Sequence, residues 1–328
     1  MTLGKSQLSS AERSNEKIAQ KTVREVICVS GVGLHSGQEV GLRICPAAPN
    51  TGIVFVRVDL SDSADKASDR CVREVPALAT NVVATAMSTT LAHDDVSVAT
   101  VEHLMAAFAG FDIDNARVEV DGAELPIMDG SAAPFLDLLK AAGARIQDEP
   151  RRFLRILKQV RYTQGDTSAQ LEPYEGFRVA YTLIYDHPVF RSHATQAVVE
   201  FAGSTFDTEV SQARTFGFLD DLERLQEMNL VQGGSLDNAV VVDHTSIVNS
   251  GGLRSDDEFV KHKILDAVGD LYLLGCPIIG AFTGHKSGHA ANNALLRMLL
   301  EDPDAYEFVS FANSSDAPAV ARGTAPAP

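Results

Sequence analysis

Cysteine is scarce in this chain: Cys28, Cys45, Cys71 and Cys276 in 328 residues, with no Cys-x-x-Cys spacing. That excludes a disulfide scaffold and points to reduced thiols in a large cytosolic protein. Basic residues are outnumbered, 28 Lys and Arg against 44 Asp and Glu, and the net charge of −16 argues against a nucleic-acid partner. It does not exclude a phosphorylated small molecule, for which a few local Lys or Arg suffice. No apolar run approaches the ~20 residues of a membrane span. Residues 1–20 are polar and mixed in charge, without an apolar signal core. The expectation is a cytoplasmic protein with no transmembrane segment, compatible with peripheral contact with a membrane surface. Gly31-Val-Gly-Leu-His-Ser-Gly37 lacks the spacing of a dinucleotide-binding turn, and there is no Gly-x-Ser-x-Gly nucleophile elbow.

What remains is ordinary: 45% apolar and 22% charged residues, in a chain long enough for two domains. Residues 1–20 and the Ala/Pro-rich end 313–328 read as disordered tails. Val23–Val29 reads as a strand before the Gly31–Gly37 turn. Ala116–Val120, Asp121-Gly122 and Ala123–Ile127 read as a tight hairpin. Helical spacing is clear at Val101, Leu104, Met105 and Phe108, and again at Phe259, Ile264, Val268 and Leu271, stopped at Gly275. Two further helices are expected, one from Ser131 as cap through Leu139 and one from about Ala290 to Leu300. The polar stretch Gln147–Arg152 reads as a boundary. Runs of strands with a few helices predict an α+β fold rather than a doubly wound one.

The chemistry concentrates on the helix at 256–270. His262 and Asp266, four apart, share one helix face and can share one ion. The bland alternative is a surface ion pair. Asp270, one turn further along the same stripe, tilts the reading toward a polar seam on a partly buried helix, where acids need a cation or donor partners. Glu102-His103 lies beside the buried stripe Val101, Leu104, Met105 and Phe108. A second His from there gives two His and one Asp, a first-row metal set with an open position for water. Glu102 could take a proton from that water. His285 and His289, also four apart, compete as ligands. If His289 instead starts a helix, the positive dipole end disfavours its charge, and a carboxylate such as Asp270 is needed to keep it protonated.

Taken together, these segments closely resemble the UDP-3-O-acyl-N-acetylglucosamine deacetylases, the zinc enzymes of lipid A synthesis in Gram-negative bacteria. The resemblance runs from about Thr22 to Asn313. It rests on Gly31–Gly37, Thr100–Gly110, Pro126–Phe135, Arg214–Phe218, Gly233–Asp237, Glu258–Asp270 and Lys286–His289. It implies His103, His262 and Asp266 as ligands of one zinc ion, with Fe(II) the alternative. Glu102 is implied as general base and His289 as the protonated group that stabilises the transition state and donates to the leaving amine. Asp270 would orient His289, and Thr215 would help hold the oxyanion. Lys263, Phe216, Lys286, Tyr185 and Phe218 are implied around a small-molecule substrate, an acylated UDP-sugar, in a monomeric enzyme. The implied fold is two similar domains, 21–147 and 152–312, each a layer of two helices packed with β-sheets and each with a small insert. The inserts fall near 62–92 and 213–243, the second forming an acyl-chain passage. Gln164–Ser168 lacks the basic residue the resemblance implies near the diphosphate.

Two rivals compete with this chemistry. Two His and one carboxylate also bind iron in oxygenases, but such enzymes do not require an acid–base pair at the metal. A structural zinc usually takes four protein ligands, mostly Cys, and no Cys accompanies this set. For the insert, Phe218, Leu222 and Leu225 give one apolar helix face. The bland alternative buries that face in the core.

Overall fold

A computed structural model describes residues 18–60, 73–313 and 317–322. The fold is α+β, with two main sheets and a helical seam between them. The first sheet has the order Ile27–Val32, Glu39–Pro46, Ala116–Val120, Ile53–Arg57, Glu74–Pro76. Along Glu39–Pro46, Val40, Leu42 and Ile44 alternate into the core while Glu39, Gly41 and Arg43 face out, the two-residue period of a half-buried strand. The second sheet is built on the strand Ile278–His285. It runs parallel to Phe153–Ile156 and Phe177–Thr182 and antiparallel to Thr167–Glu172.

The longer helices are α1 (Glu102–Gly110), α2 (Ala133–Ala142), α3 (Leu219–Glu227), α4 (Glu258–Tyr272) and α5 (His289–Leu300). α1 packs on α4, α2 lies beside α1, and α5 lies beside α4 over the hairpin Val160–Glu172. The α1–α4 crossing is unusually close. A Cβ added at Gly269 would lie 2.1 Å from the Glu102 carbonyl oxygen, so only glycine fits there. One continuous apolar core runs through both halves.

Several expectations are corrected. The strand expected at 23–29 is two strands, Ala19–Val23 and Ile27–Val32, broken where Arg24, Glu25 and Val26 are exposed and the Arg24 amide bonds Gly143. The hairpin at 116–127 does not form. Pro126 has no amide to give a ladder, and 123–127 instead crosses to bridges with Ala99 and Gly33. That crossing also buries Leu125 and Ile127. The polar stretch at 147–152, read as a boundary, is held in place. Ala144–Pro150 pairs with Ala19–Val23, and Arg151 is buried on Asp112 and Asp114 at 2.6 and 2.8 Å. The N-terminal tail expected at 1–20 falls outside the described residues except for its last three, where Ile18 is buried and Ala19 opens a strand. Of the C-terminal tail, Ala317 and Val320 pack against Ile18, Phe153 and Ile279. The first insert falls partly on 61–72, outside the described residues; beyond it a three-stranded sheet spans Val82–Val98. The segment expected as the second insert, 213–243, contains a β-α-β unit, with Phe216–Phe218 parallel to Val240–Val242 and α3 between them.

Candidate active site

The α1–α4 seam brings together the residues that the sequence separates by some 160 positions. His103 lies in the first turn of α1, and His262 and Asp266 share one face of α4; all three are buried and their ligating atoms lie within 4.8 Å of one another. Asp266 Oδ1 is 3.6 Å from His103 Nε2 and 3.4 Å from His262 Nε2. A tetrahedral ion with ligands near 2.0–2.1 Å needs donors about 3.3 Å apart, so the set fits a small divalent metal. Two further bonds aim the donors. His262 Nδ1 donates to the Ala213 carbonyl at 3.0 Å, leaving Nε2 as a lone pair toward the centre. Lys263 Nζ donates to Asp266 Oδ2 at 2.7 Å, leaving Oδ1 toward the imidazoles. Burial pushes the His262 imidazole down to about 3, against the pull of Asp266, so it is neutral as a ligand must be. Asp266 is held well below the usual carboxylate range. Burial opposes this, but His262 and Lys263 outweigh it.

Beside this set lie a carboxyl and an imidazole whose proton affinities are both raised. Burial pushes the Glu102 carboxyl up, against His289 and His103. Burial would lower the His289 imidazole, but Asp270 more than reverses this and raises it to about 10. His289 Nδ1 donates to Asp270 Oδ2 at 2.8 Å, and its Nε2 is 3.8 Å from Glu102 Oε1. His289 opens α5 as expected, and Asp270 supplies the carboxylate that its helix N-terminus requires.

The sequence reading missed Thr89, which ties the two together. Its amide donates to Glu102 Oε2 at 3.0 Å and its hydroxyl to Asp270 Oδ1 at 2.7 Å. Asn292 adds a donor to Asp270 Oδ2 at 2.9 Å. Asn292 follows His289 by three places, a helical spacing that could have flagged it. Nothing in the sequence marks Thr89.

The remaining predicted residues lie as follows. Phe216 meets His262 edge-on at 6.2 Å, and Lys263 Nζ sits 5.4 Å from its ring centre. Tyr185 packs on Phe216 and Phe218 at 6.1 and 5.2 Å, with Phe190, also missed, 4.7 Å from Tyr185. Thr215 is two residues from the Ala213 carbonyl that aims His262, and its amide donates to Gly130 at 2.7 Å. Lys286 pairs with Asp166, in the loop lacking Lys or Arg. The competing His285 is the last residue of a strand rather than part of a loop, outside the metal set. In α3, no described residue is buried, so its apolar face is not core.

A buried two-His, one-Asp set that could hold a divalent metal, beside a glutamate and a histidine, is an arrangement suited to a metal-assisted hydrolase. Comparison with known proteins gives the particular kind. The family model of UDP-3-O-acyl N-acetylglycosamine deacetylase matches residues 20–301, and the chain belongs to that family. It is 52% identical over 301 residues to the UDP-3-O-acyl-N-acetylglucosamine deacetylase of Pseudomonas entomophila (strain L48), covering 92% of this chain and 96% of that protein. It is 50% identical over 301 residues to the enzyme of the same name from Hahella chejuensis (strain KCTC 2396), covering 92% and 97%.

Proposed function

We propose that this protein hydrolyses the N-acetyl group of UDP-3-O-acyl-N-acetylglucosamine to give UDP-3-O-acyl-glucosamine and acetate, the committed step of lipid A biosynthesis. Family membership supports the reaction. The observation that carries the mechanism is the convergence of His103, His262 and Asp266 beside the Glu102–His289 pair. His103, His262 and Asp266 would hold one zinc ion, with Fe(II) the alternative, and such an ion lowers the pKa of a water and polarises a carbonyl. Glu102 takes the proton of the water that attacks the acetyl carbonyl. His289, kept charged by Asp270, stabilises the negative charge growing on the carbonyl oxygen, with the Thr215 hydroxyl as a second donor. The same His289 proton then passes to the departing sugar nitrogen. Thr89 and Asn292 hold Asp270, and through it the His289 ring.

The wider reading follows the same lines. Lys263, Phe216 and Lys286 line the substrate site, Tyr185 faces the uracil, and Phe218 leads into the acyl passage. Among the described residues no helix is long and apolar enough to cross a membrane. We place the enzyme in the cytoplasm as a monomer, acting on a small molecule and not on nucleic acid, in peripheral contact with a membrane. The two main sheets support a division into domains at 21–147 and 152–312.

The test is acetate release from the acylated substrate by chelator-treated protein, followed by return of Zn²⁺ or Fe²⁺ with metal counted per chain. Activity should vanish with the metal and return at one ion per chain. Full activity in metal-free protein would end the mechanism while leaving the family assignment intact.

A further inference from the structure

Two glycine-rich segments, Gly31–Gly37 and Gly233–Asp237, have no part in the chemistry above, yet they lie against each other. The Gln232 amide donates to the His35 carbonyl at 3.1 Å and the Gly233 amide to the Leu34 carbonyl at 3.0 Å. The approach leaves no room for side chains. A Cβ at Gly233 would fall 2.2 Å from the Gly33 carbonyl oxygen, and one at Gly37, where φ is +66°, 3.0 Å from the Gln232 Cβ. The far end of the second insert is thus fastened to a loop of the first half.

That loop is organised by one buried carboxylate. Glu124, 5% exposed, accepts from the His35 amide at 2.8 Å, the Ser36 amide at 2.8 Å and the Thr100 hydroxyl at 3.1 Å. Gly33 is vacant of a side chain where a Cβ would lie 2.5 Å from Glu124 Oε2. The loop also closes on itself, Gly37 amide to Gly33 carbonyl at 3.0 Å and Gly33 amide to Gln38 carbonyl at 2.9 Å. A carboxylate holding two amides of one turn is a fixed anchor, since its loss leaves buried donors unsatisfied.

The insert needs such an anchor. Its helix α3 has no buried described residue, and Leu219 and Met228 are exposed, so its position is not set by a core. We infer that Glu124 is a positioning residue for acyl-chain recognition: through the Gly33–Gly37 loop it clasps the Gly233 end of the insert and fixes the apolar wall of the acyl passage. The inference rests on reading the insert as that passage. Glu124 would act on how tightly the chain is held and leave the chemistry at the α1–α4 seam unchanged.

The test uses the full metal-loaded chain with Glu124→Ala, Glu124→Gln and Gly233→Ala. Hydrogen exchange over 231–238 reads the clasp directly, and KM for UDP-3-O-acyl-N-acetylglucosamine against the rate on UDP-N-acetylglucosamine reads its role. Exchange should quicken in both alanine variants. KM for the acylated substrate should rise about tenfold, as expected when one or two methylene groups lose their contact. Metal content and the rate on the unacylated substrate should stay within about twofold. Glu124→Gln keeps one acceptor oxygen and should fall between parent and Glu124→Ala. If Glu124→Ala does not fold, Gly233→Ala carries the test, because it opens the clasp from the other side. Unchanged exchange in a folded Gly233→Ala protein overturns the clasp. Faster exchange with an unchanged acylated KM overturns its role in recognition. Equal turnover of both substrates by the parent would refute the passage reading itself, whatever the exchange data show.

Discussion

The two ends of the candidate site are built on opposite plans. At the α1–α4 seam, His103, His262 and Asp266 are each at most 4% exposed, and bonds from α4 and the Ala213 carbonyl fix two of them in direction. At the proposed insert, Phe216 and Phe218 are half-buried on a short strand and α3 has no buried described residue. Proton transfer and metal binding demand distances held to tenths of an ångström, and buried helices supply them. Holding a long apolar chain demands only apolar area, which a half-exposed wall supplies. Substitutions at the seam should therefore act on turnover and metal, and those at the insert on binding of the acylated substrate.

The largest effect tests the seam most directly. His103→Ala, His262→Ala and Asp266→Ala should each lose the metal and its several kcal/mol of transition-state stabilisation, roughly 10³-fold or more in rate. Far-UV circular dichroism should show the fold retained. Full metal occupancy in two of the three variants would dissolve the assignment.

Next come the proton carriers. Glu102→Ala and His289→Ala should keep the metal and lose ~10²–10⁴-fold in turnover. Their pH limbs should separate. Burial raises Glu102, so its variant should lose the acidic limb. His289 is raised from 6.5 to about 10, so its charged form is favoured in the folded protein. Its contribution to stability is fully present below pH 6.5 and is lost as pH rises through about 10. The basic limb of the rate profile should fall in the same direction. Asp270→Asn removes the carboxylate that raises His289, and should move that limb to lower pH. A limb that stays in place in Asp270→Asn would remove Asp270 from its orienting role.

Gly269→Ala should sharpen the contrast from the packing side. The new methyl group would meet the Glu102 carbonyl at 2.1 Å, so α1 and α4 must part. Overpacking of this kind costs ~1–3 kcal/mol of stability, read by chemical denaturation. A shift of about an ångström in Glu102 can cost roughly 10²-fold in rate. Parent-like stability and rate together would show that the seam is looser than its geometry implies.

How much of this was legible in the chain depended on what each feature uses. The α4 set could be read because helical periodicity assigns His262, Asp266 and Asp270 to one face before any tertiary contact is known. α+β followed from the order of strand and helix signals. Thr89 was invisible because its backbone amide does half the work, and every residue but proline has one. The false hairpin at 116–127 followed alternation and an Asp-Gly turn, and overlooked that Pro126 cannot donate to a ladder. The apolar face of α3 was readable from spacing, but its failure to enter the core depends on how the insert sits. Lys286 was expected around the substrate, but its pairing with Asp166 joins a strand end to a distant hairpin turn that no spacing links.

The smallest expected effect concerns His285, four residues before His289 and thus a rival ligand by spacing alone. That spacing has meaning only inside one helix, and here it spans two elements. His285 ends the strand Ile278–His285, with backbone partners Ser168 and Thr182. Lys286 then turns with φ of +51°, and Gly288 is fully extended before α5 begins at His289. The two imidazoles are therefore not stacked on a common face. His285 instead borders a surface cavity with Arg161, Thr163 and Asp166, on the same hairpin that pairs with Lys286. His285→Ala should keep its metal and stay within about fivefold of the parent rate, under ~1 kcal/mol. Metal analysis and a full rate curve on the purified variant check both points. Loss of metal in His285→Ala would mean that the ligand set has been read wrongly.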